Sequence, residues 1–198
     1  MLRRNIVALA AAAPLAMFAA RAIAQETAPV PATKPSDPAM PVMGEAEMTH
    51  AKQTGMVGSL SLLQSRLAVQ KASDGKVKMF AEFEVAEQET VGDILKSMKE
   101  DAPDEAEGAL QPPTDDEAMA MVDAAGKAKL EELEALSGAD FDKAYVTANL
   151  EGHQKLLVIQ EDYLRVGTVR EHLSVAKLAR GMVKEHISHL EELQSTLN

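Results

Sequence analysis

The sequence predicts an all-α protein in which an up-down helical bundle follows an N-terminal leader and a tether. Three observations lead to this prediction. Hydrophobic residues form 46% of the 198 residues and are mostly Ala, Leu, Val and Met, with 3% aromatics, a mixture that favours helices over sheets. From Met48 onward the apolar residues recur with the period of a helix. No run of alternating β-branched residues bounded by turns indicates a strand.

Residues 1–24 have the features of an export signal. The basic pair Arg3-Arg4 precedes an uncharged apolar run, and Ala22-Ile23-Ala24 has the small-x-small pattern that indicates cleavage after Ala24. The run is shorter than the ~20 apolar residues of a membrane span. We therefore expect a periplasmic or secreted protein with no integral span after cleavage. The arginine pair also fits the twin-arginine route, which is the alternative to ordinary secretion.

A tether follows the leader over residues 25–47. It contains five prolines separated mainly by Ala, Thr and Ser. Proline at this density removes amide donors and disfavours helix, so we expect an extended, disordered linker. The remaining residues, 48–198, form the predicted bundle domain.

Five helical segments are predicted in this domain. Turn residues separate them: Ser73-Asp74-Gly75 ends the first and can cap the second, Thr114 can cap the third, and Asp140 can cap the fourth. Four of the segments are long and joined pairwise by short turns, which predicts an up-down four-helix bundle. The third is the least apolar, and we expect it to pack across or beside the bundle. The segments are 48–72, 76–100, 115–137, 140–166 and 168–197.

Composition excludes several classes of function. The chain has no cysteine, which rules out disulfides, thiolate zinc sites and iron–sulfur clusters. Its formal net charge of -11 is the opposite of what a nucleic-acid-binding protein needs. Neither a Ser-His-Asp set, a Gly-x-Ser-x-Gly motif nor a phosphate loop is evident, so the sequence favours a protein that is not an enzyme.

Carboxylates and histidines interrupt the apolar stripes of the predicted helices. In the last helix His186 falls in the middle of a stripe with steps of three and four, and His189 lies one turn further on. In the second helix Glu84 occupies a stripe position with Glu87 beside it. His153 borders the stripe of the fourth helix.

These five residues allow two main hypotheses. Carboxylate and neutral imidazole together suit iron, manganese or zinc, and dimetal carboxylate bundles place Glu and Glu-x-x-His on facing helices. Alternatively, the same groups form buried ion pairs that fix the register of the helices. If the apolar stripes have been assigned to the wrong helix faces, the five side chains are exposed to solvent.

Two further groups have weaker patterns. The single Glu-x-x-His motif, Glu47 to His50, opens the first helix, where we expect it to be solvated, and His172 is expected to have a structural role at the wet end of the last stripe. Met40, Met43 and Met48 near His50 resemble a copper-ligand set, but methionines at a helix start more often pack against the helix.

Several short motifs resemble an exported bacterial family, domain of unknown function 4142. The resemblance covers residues 50–197 and implies a helical bundle of the ferritin-like type. Members often carry Asp-His where this chain has Glu87-Gln88, so the second helix lacks that imidazole. The motifs are Ser65-x-Leu67-Ala68-x-x-Lys71-Ala72, Val77-Lys78-x-Phe80-Ala81, Phe141-Asp142-x-x-Tyr145-Val146 followed by His153, and His189-Leu190.

The resemblance implies no established activity, so the function is predicted from the residues. The leading hypothesis is an exported, ferritin-like helical bundle that binds a metal in its core through Glu84, Glu87, His153, His186 and His189. One alternative is a di-iron or di-manganese oxidase or peroxide scavenger that uses the same ligands. Another is an acidic protein that binds a partner or has a structural role in the envelope. A homodimer is compatible with the poorly apolar third helix.

Overall fold

A computed structural model describes residues 43–99 and 108–197 of the chain. These residues form six α-helices and no strand, so the all-α prediction is confirmed. The predicted leader and all but the last five residues of the predicted tether lie outside the described residues. The helices are α1 (Glu45–Lys71), α2 (Gly75–Ser97), α3 (Asp115–Met121), α4 (Ala124–Glu134), α5 (Gly138–Val166) and α6 (Arg170–Leu197).

The four long helices pack as a bundle in which chain neighbours are also spatial neighbours. Helix α1 packs extensively against α2 and α5, and α5 packs extensively against α6. Contact between α2 and α6 is much sparser, so this is the loosest side of the bundle. Within the described residues no helix has the length and apolar character that a membrane crossing requires.

Local capping explains where α2 and α3 begin. The Asp74 carboxylate accepts the backbone N–H groups of Lys76 and Val77, at 2.8 and 3.1 Å. Thr114 and Glu117 form a reciprocal capping box at the start of α3. The caps predicted at Asp74 and Thr114 are therefore present.

The prediction of one helix over residues 115–137 is wrong, because this segment forms two helices. The chain leaves the helical conformation at Val122, and Asp123 starts α4 by accepting the Gly126 N–H at 2.7 Å. An aspartate inside a helical pattern can thus act as a new N-cap. Both short helices lie against α1, beside the bundle as expected.

The predicted cap of α5 is also wrong. The helix begins at Gly138, two residues before Asp140, and Ser137 occupies the N-cap position without a side-chain bond. Gly138 has φ +59°, a left-handed conformation in which glycine avoids the strain of a Cβ. Helix α1 also begins earlier than predicted, at Glu45, so the last three residues of the predicted tether are helical.

The apolar core is concentrated at one end of the bundle and on one flank of α1. The end cluster contains Phe80, Phe141 and Tyr145 and lies near the α1–α2 turn. The flank cluster packs Leu62 and Leu63 of α1 against α3 and α4. Helix α1 therefore has two buried faces, one apolar face under the short helices and one that faces the bundle interior.

The interior face of α1 is polar, although its sequence contains an apolar stripe at helical spacing. That stripe, formed by Met56, Leu60, Leu63 and Leu67, belongs to the flank that meets α3 and α4 or lies beside it. The residues that point inward are small or polar. They are Glu47, His50, Thr54, Gly58, Ser61, Ser65 and Ala68.

Candidate metal centre

Glu84 of α2 lies in the middle of the bundle with a side chain that is 0% exposed. Its Oε1 atom accepts a hydrogen bond from the Ser61 hydroxyl of α1 at 2.6 Å. Its Oε2 atom lies 3.2 Å from Nε2 of His153 in α5 and 2.9 Å from Nδ1 of His186 in α6. Four helices thus meet at one carboxylate.

Burial would raise the pKa of Glu84, but its neighbours have a larger effect in the opposite direction. The charge of His153 lowers the pKa of Glu84, and so does the hydrogen bond between the two side chains. Hydrogen bonds with His186 and Ser61 lower it further. Glu84 is therefore an anion in the interior, and its negative charge needs a positive partner.

The ring of His153 is oriented by its own helix. Its Nδ1 atom lies 2.8 Å from the backbone oxygen of Asn149, four residues earlier. A carbonyl oxygen can only accept, so Nδ1 must carry a proton and donate it. Consequently Nε2, which faces Glu84 and His186, is the nitrogen that is free to hold a metal ion.

His186 bridges two carboxylates. Nδ1 is 2.9 Å from Glu84, and Nε2 is 3.2 Å from Oε1 of Glu87. Burial lowers the pKa of His186, but hydrogen bonds with Glu84 and Glu87 and their charges raise it to about 9. Without a metal, the His186 imidazolium is therefore a positive partner of Glu84.

Glu84, His153 and His186 form a compact ligand set, which we call the triad. Their facing atoms are separated by 2.9, 3.1 and 3.2 Å. An octahedral ion with bonds of about 2.1 Å separates adjacent ligands by about 3.0 Å, so one ion can contact all three. Among the described residues, this is the one group of three or more histidine or acidic side chains with ligand atoms so close together.

The surroundings of the triad are apolar on one side and open to a small cavity on another. The Phe80 ring lies edge-on to His186, with centroids 5.1 Å apart, and excludes water from that side. A cavity of about 20 Å³, lined by Glu87, His153 and His186, adjoins the other side. That volume holds about one water molecule.

Comparison with known proteins gives the family and the fold. The family model "Domain of unknown function (DUF4142)" matches residues 30–193. The chain belongs to this family. Among solved structures, this DUF4142 protein is similar to one titled "Crystal structure of putative secreted protein DUF305 from Streptomyces coelicolor", with a TM-score of 0.61 and 14% identity. The likeness covers 77% of this chain and 93% of the other and concerns the fold alone. No curated protein matches the sequence.

The five predicted ligands of this DUF4142 protein are not all brought together. Glu84, His153 and His186 form the triad, and Glu87 contacts only its edge, through His186. His189 is exposed, because at this turn of α6 the next residue, Leu190, occupies the interior position. Gln88 is half-buried beside the cavity.

The residues that support the triad are not among the predicted site residues. Ser61 bonds to Glu84, and the backbone of Asn149 bonds to His153. His153 itself lies within the core stripe of α5, not at its border as predicted. That stripe continues through Gln160, so polar side chains occupy positions where apolar ones were expected. Two patterns point to them in hindsight: serine and threonine recur on α1 at helical spacing, and Asn149 precedes His153 by one turn.

A second polar cluster corrects two further expectations. Glu47 and His50 are buried, so the prediction that this motif is solvated is wrong. The reason is that α1 begins before them and presses them against α5 and α6. His172 is also buried, not at a wet end of the stripe. Met48 is exposed, Met43 is half-buried, and Met40 lies outside the described residues.

Proposed function

We propose that this protein is an exported, ferritin-like four-helix bundle that binds one transition-metal ion through Glu84, His153 and His186. The observation that carries the proposal is the orientation of His153. Its Nδ1 atom donates to the Asn149 carbonyl, which leaves Nε2 facing a buried carboxylate oxygen at 3.2 Å. A lone pair and an anionic oxygen repel each other unless a cation or a proton lies between them.

The ligand types narrow the choice of ion. Two imidazoles and one carboxylate form the set that non-haem Fe(II) sites use, and Mn²⁺ and Zn²⁺ also accept it. The Ser61 hydroxyl holds the second oxygen of Glu84, and the Asn149 carbonyl holds His153. Such outer contacts orient ligands before an ion arrives.

A single ion agrees better with the structure than the dimetal oxidase considered as an alternative. Glu87 is turned toward His186, and the described residues provide no second carboxylate at the triad. A stable apo form with His186 as the buried cation is the main competing explanation.

Export is supported by the leader of residues 1–24 and by the structural neighbour, which is titled a putative secreted protein. The ferritin-like class is supported by the four long helices and by polar ligands placed on facing helices in the middle of the bundle.

Metal analysis of the purified protein tests the proposal. After loading with Fe²⁺, Mn²⁺ or Zn²⁺ and dialysis, Glu84→Gln and His186→Gln should each weaken binding of the triad ion by at least ~10-fold. The matched control is His189→Gln, which removes an exposed imidazole from the same helix and should leave binding unchanged.

Two results would contradict the metal site. One is a Glu84→Gln variant that binds every ion as the unmodified protein does. The other is a metal-free protein that becomes more stable when Glu84 and His186 are both replaced by Leu and that never retains an ion. That second outcome would identify the triad as a buried ion pair.

A further inference from the structure

The second polar cluster lies where α1 begins, α5 ends and α6 begins. Its side chains are Glu47, His50, Tyr163 and His172, and all four are buried. The His50 ring stacks on Tyr163 with centroids 4.3 Å apart, and the His172 ring stands nearly perpendicular to both. No residue of the triad belongs to this cluster.

The protonation of His50 follows from its hydrogen bond. Nε2 lies 2.7 Å from Oε1 of Gln160, and the amide nitrogen of Gln160 is used by Thr54 at 3.0 Å. The Gln160 oxygen must therefore accept, so Nε2 of His50 carries the proton. Nδ1 is left with a lone pair, and it is buried without a hydrogen-bond partner.

His172 is more unusual, because neither of its ring nitrogens has a hydrogen-bond partner although the side chain is 1% exposed. A buried polar atom without a partner destabilises a protein. Three of the four such side-chain atoms in the described residues belong to His50 and His172. Their nitrogens are therefore available to a ligand.

The charge of Glu47 indicates the sign of that ligand. Its Oε1 atom accepts hydrogen bonds from the Tyr163 hydroxyl at 2.9 Å and from the backbone N–H of Thr168 at 3.4 Å. Both partners are uncharged. A carboxylate without a charged hydrogen-bond partner among the described residues therefore lies beside two imidazoles, and imidazole binds metals in its neutral form.

We propose that His50 and His172 hold a second transition-metal ion and that Glu47 balances its charge from close by. Two imidazoles on one ion, with bonds of about 2.1 Å, place their ring centroids about 4.5–6.5 Å apart, depending on the angle between the bonds. The centroids of His50 and His172 are 5.9 Å apart, and those of the triad histidines are 5.2 Å apart. A water molecule could satisfy the nitrogens, but it would not balance the charge of Glu47.

The proposed second site does not depend on the triad. The two sites share no residue, and a polar path through Thr54 and Gln160 and the cavity of about 20 Å³ lies between them. Each site can therefore be removed while the other is kept.

Zinc stoichiometry of the full-length protein tests the proposal. Zn²⁺ is the probe because imidazole binds it well and thioethers do not, so the methionines contribute little. The unmodified protein should retain two ions after dialysis. Removal of the triad by Glu84→Gln with His186→Gln should leave one ion, and His50→Gln with His172→Gln should also leave one. His189→Gln should keep both.

The failures of the two sites are distinguishable. One retained ion that disappears with the Glu84 and His186 substitutions and survives those at His50 and His172 overturns the second site and keeps the triad. The reverse pattern keeps the second site and contradicts the triad.

A stability measurement covers the case in which the double substitution at His50 and His172 unfolds the protein. His172→Phe keeps an aromatic side chain but removes both unpartnered nitrogens, so it should raise the melting temperature of the metal-free protein. In the variant without the triad, it should also abolish the rise in melting temperature that Zn²⁺ produces. A Zn²⁺-dependent rise in melting temperature that persists after His172→Phe would overturn the proposal.

Discussion

Replacement of Asp142 should loosen the end of the bundle where this carboxylate joins the α1–α2 turn to α5 by hydrogen bonds. Asp142 lies in the second turn of α5 and is 1% exposed. It accepts the backbone N–H groups of Ser73 and Asp74, at 3.0 and 2.9 Å, and also the Ser73 hydroxyl. Asp142→Ala therefore releases the α1–α2 turn from α5.

The magnitude follows from the number and exposure of the lost bonds. A hydrogen bond to a charged group contributes ~1.5–3 kcal/mol, but water can replace part of that where the donor is accessible. Ser73 is exposed and Asp74 is half-buried, so the lower end applies. Three bonds at that end contribute ~4–5 kcal/mol in total, and water replaces about half of this at the accessible donors, so we expect Asp142→Ala to lower the free energy of unfolding by ~2–3 kcal/mol. Asp142→Asn keeps one acceptor oxygen and should lower it by about half as much.

Urea denaturation followed by circular dichroism at neutral pH measures this difference. The slope of the transition should stay constant while its midpoint falls. The matched control is Asp140→Ala, which removes an exposed acid two residues earlier in α5 and should lose only ~0.3–1 kcal/mol of helix-dipole stabilisation. Equal losses for the two alanine variants would refute the role assigned to Asp142.

Thermal melts can check three further substitutions, two at glycines inside helices and one at a carboxylate with a lowered pKa. Gly181→Ala should raise stability by ~0.5–1 kcal/mol, because the added Cβ meets no atom within 4 Å and alanine favours the helix. Gly126→Ala should lower stability, because its Cβ would lie 2.6 Å from Cγ1 of Val122, and an increase would contradict the packing of α4. A hydrogen bond from Lys96 lowers the pKa of Glu117 from 4.5 to about 2. Stability from this carboxylate is therefore present above pH 4.5 and lost as the pH falls toward 2, so Glu117→Gln should destabilise at pH 6 but not at pH 2.

The sequence predicted best those helices that bury one face. In α6 the residues Ala176, Val183, His186 and Leu190 are all buried, as their spacing predicted. The same holds for Glu84 and its apolar neighbours in α2. Each of these helices has one apolar stripe, and a polar residue inside it is conspicuous.

The interior face of α1 could not be predicted in the same way. Helices α3 and α4 cover the apolar flank of this helix. Its leucines therefore mark the face that packs against α3 and α4, and not the face toward the bundle interior. Its true interior face consists of small and polar residues, which resemble a solvated surface when the sequence is considered alone. The partners that make Ser61 and Thr54 tolerable inside, Glu84 and Gln160, are distant in sequence.

The triad takes its three side chains from α2, α5 and α6, and Glu84 and His186 are 102 positions apart. An unfolded chain therefore has no triad, and an ion bound by the triad would be selected where the helices assemble. A chain that crosses a membrane unfolded would choose its ion from those available outside the cytoplasm. A chain that crosses already folded, as the twin-arginine route allows, would carry the ion selected inside. The transport route would thus set the metal content as much as the ligands do.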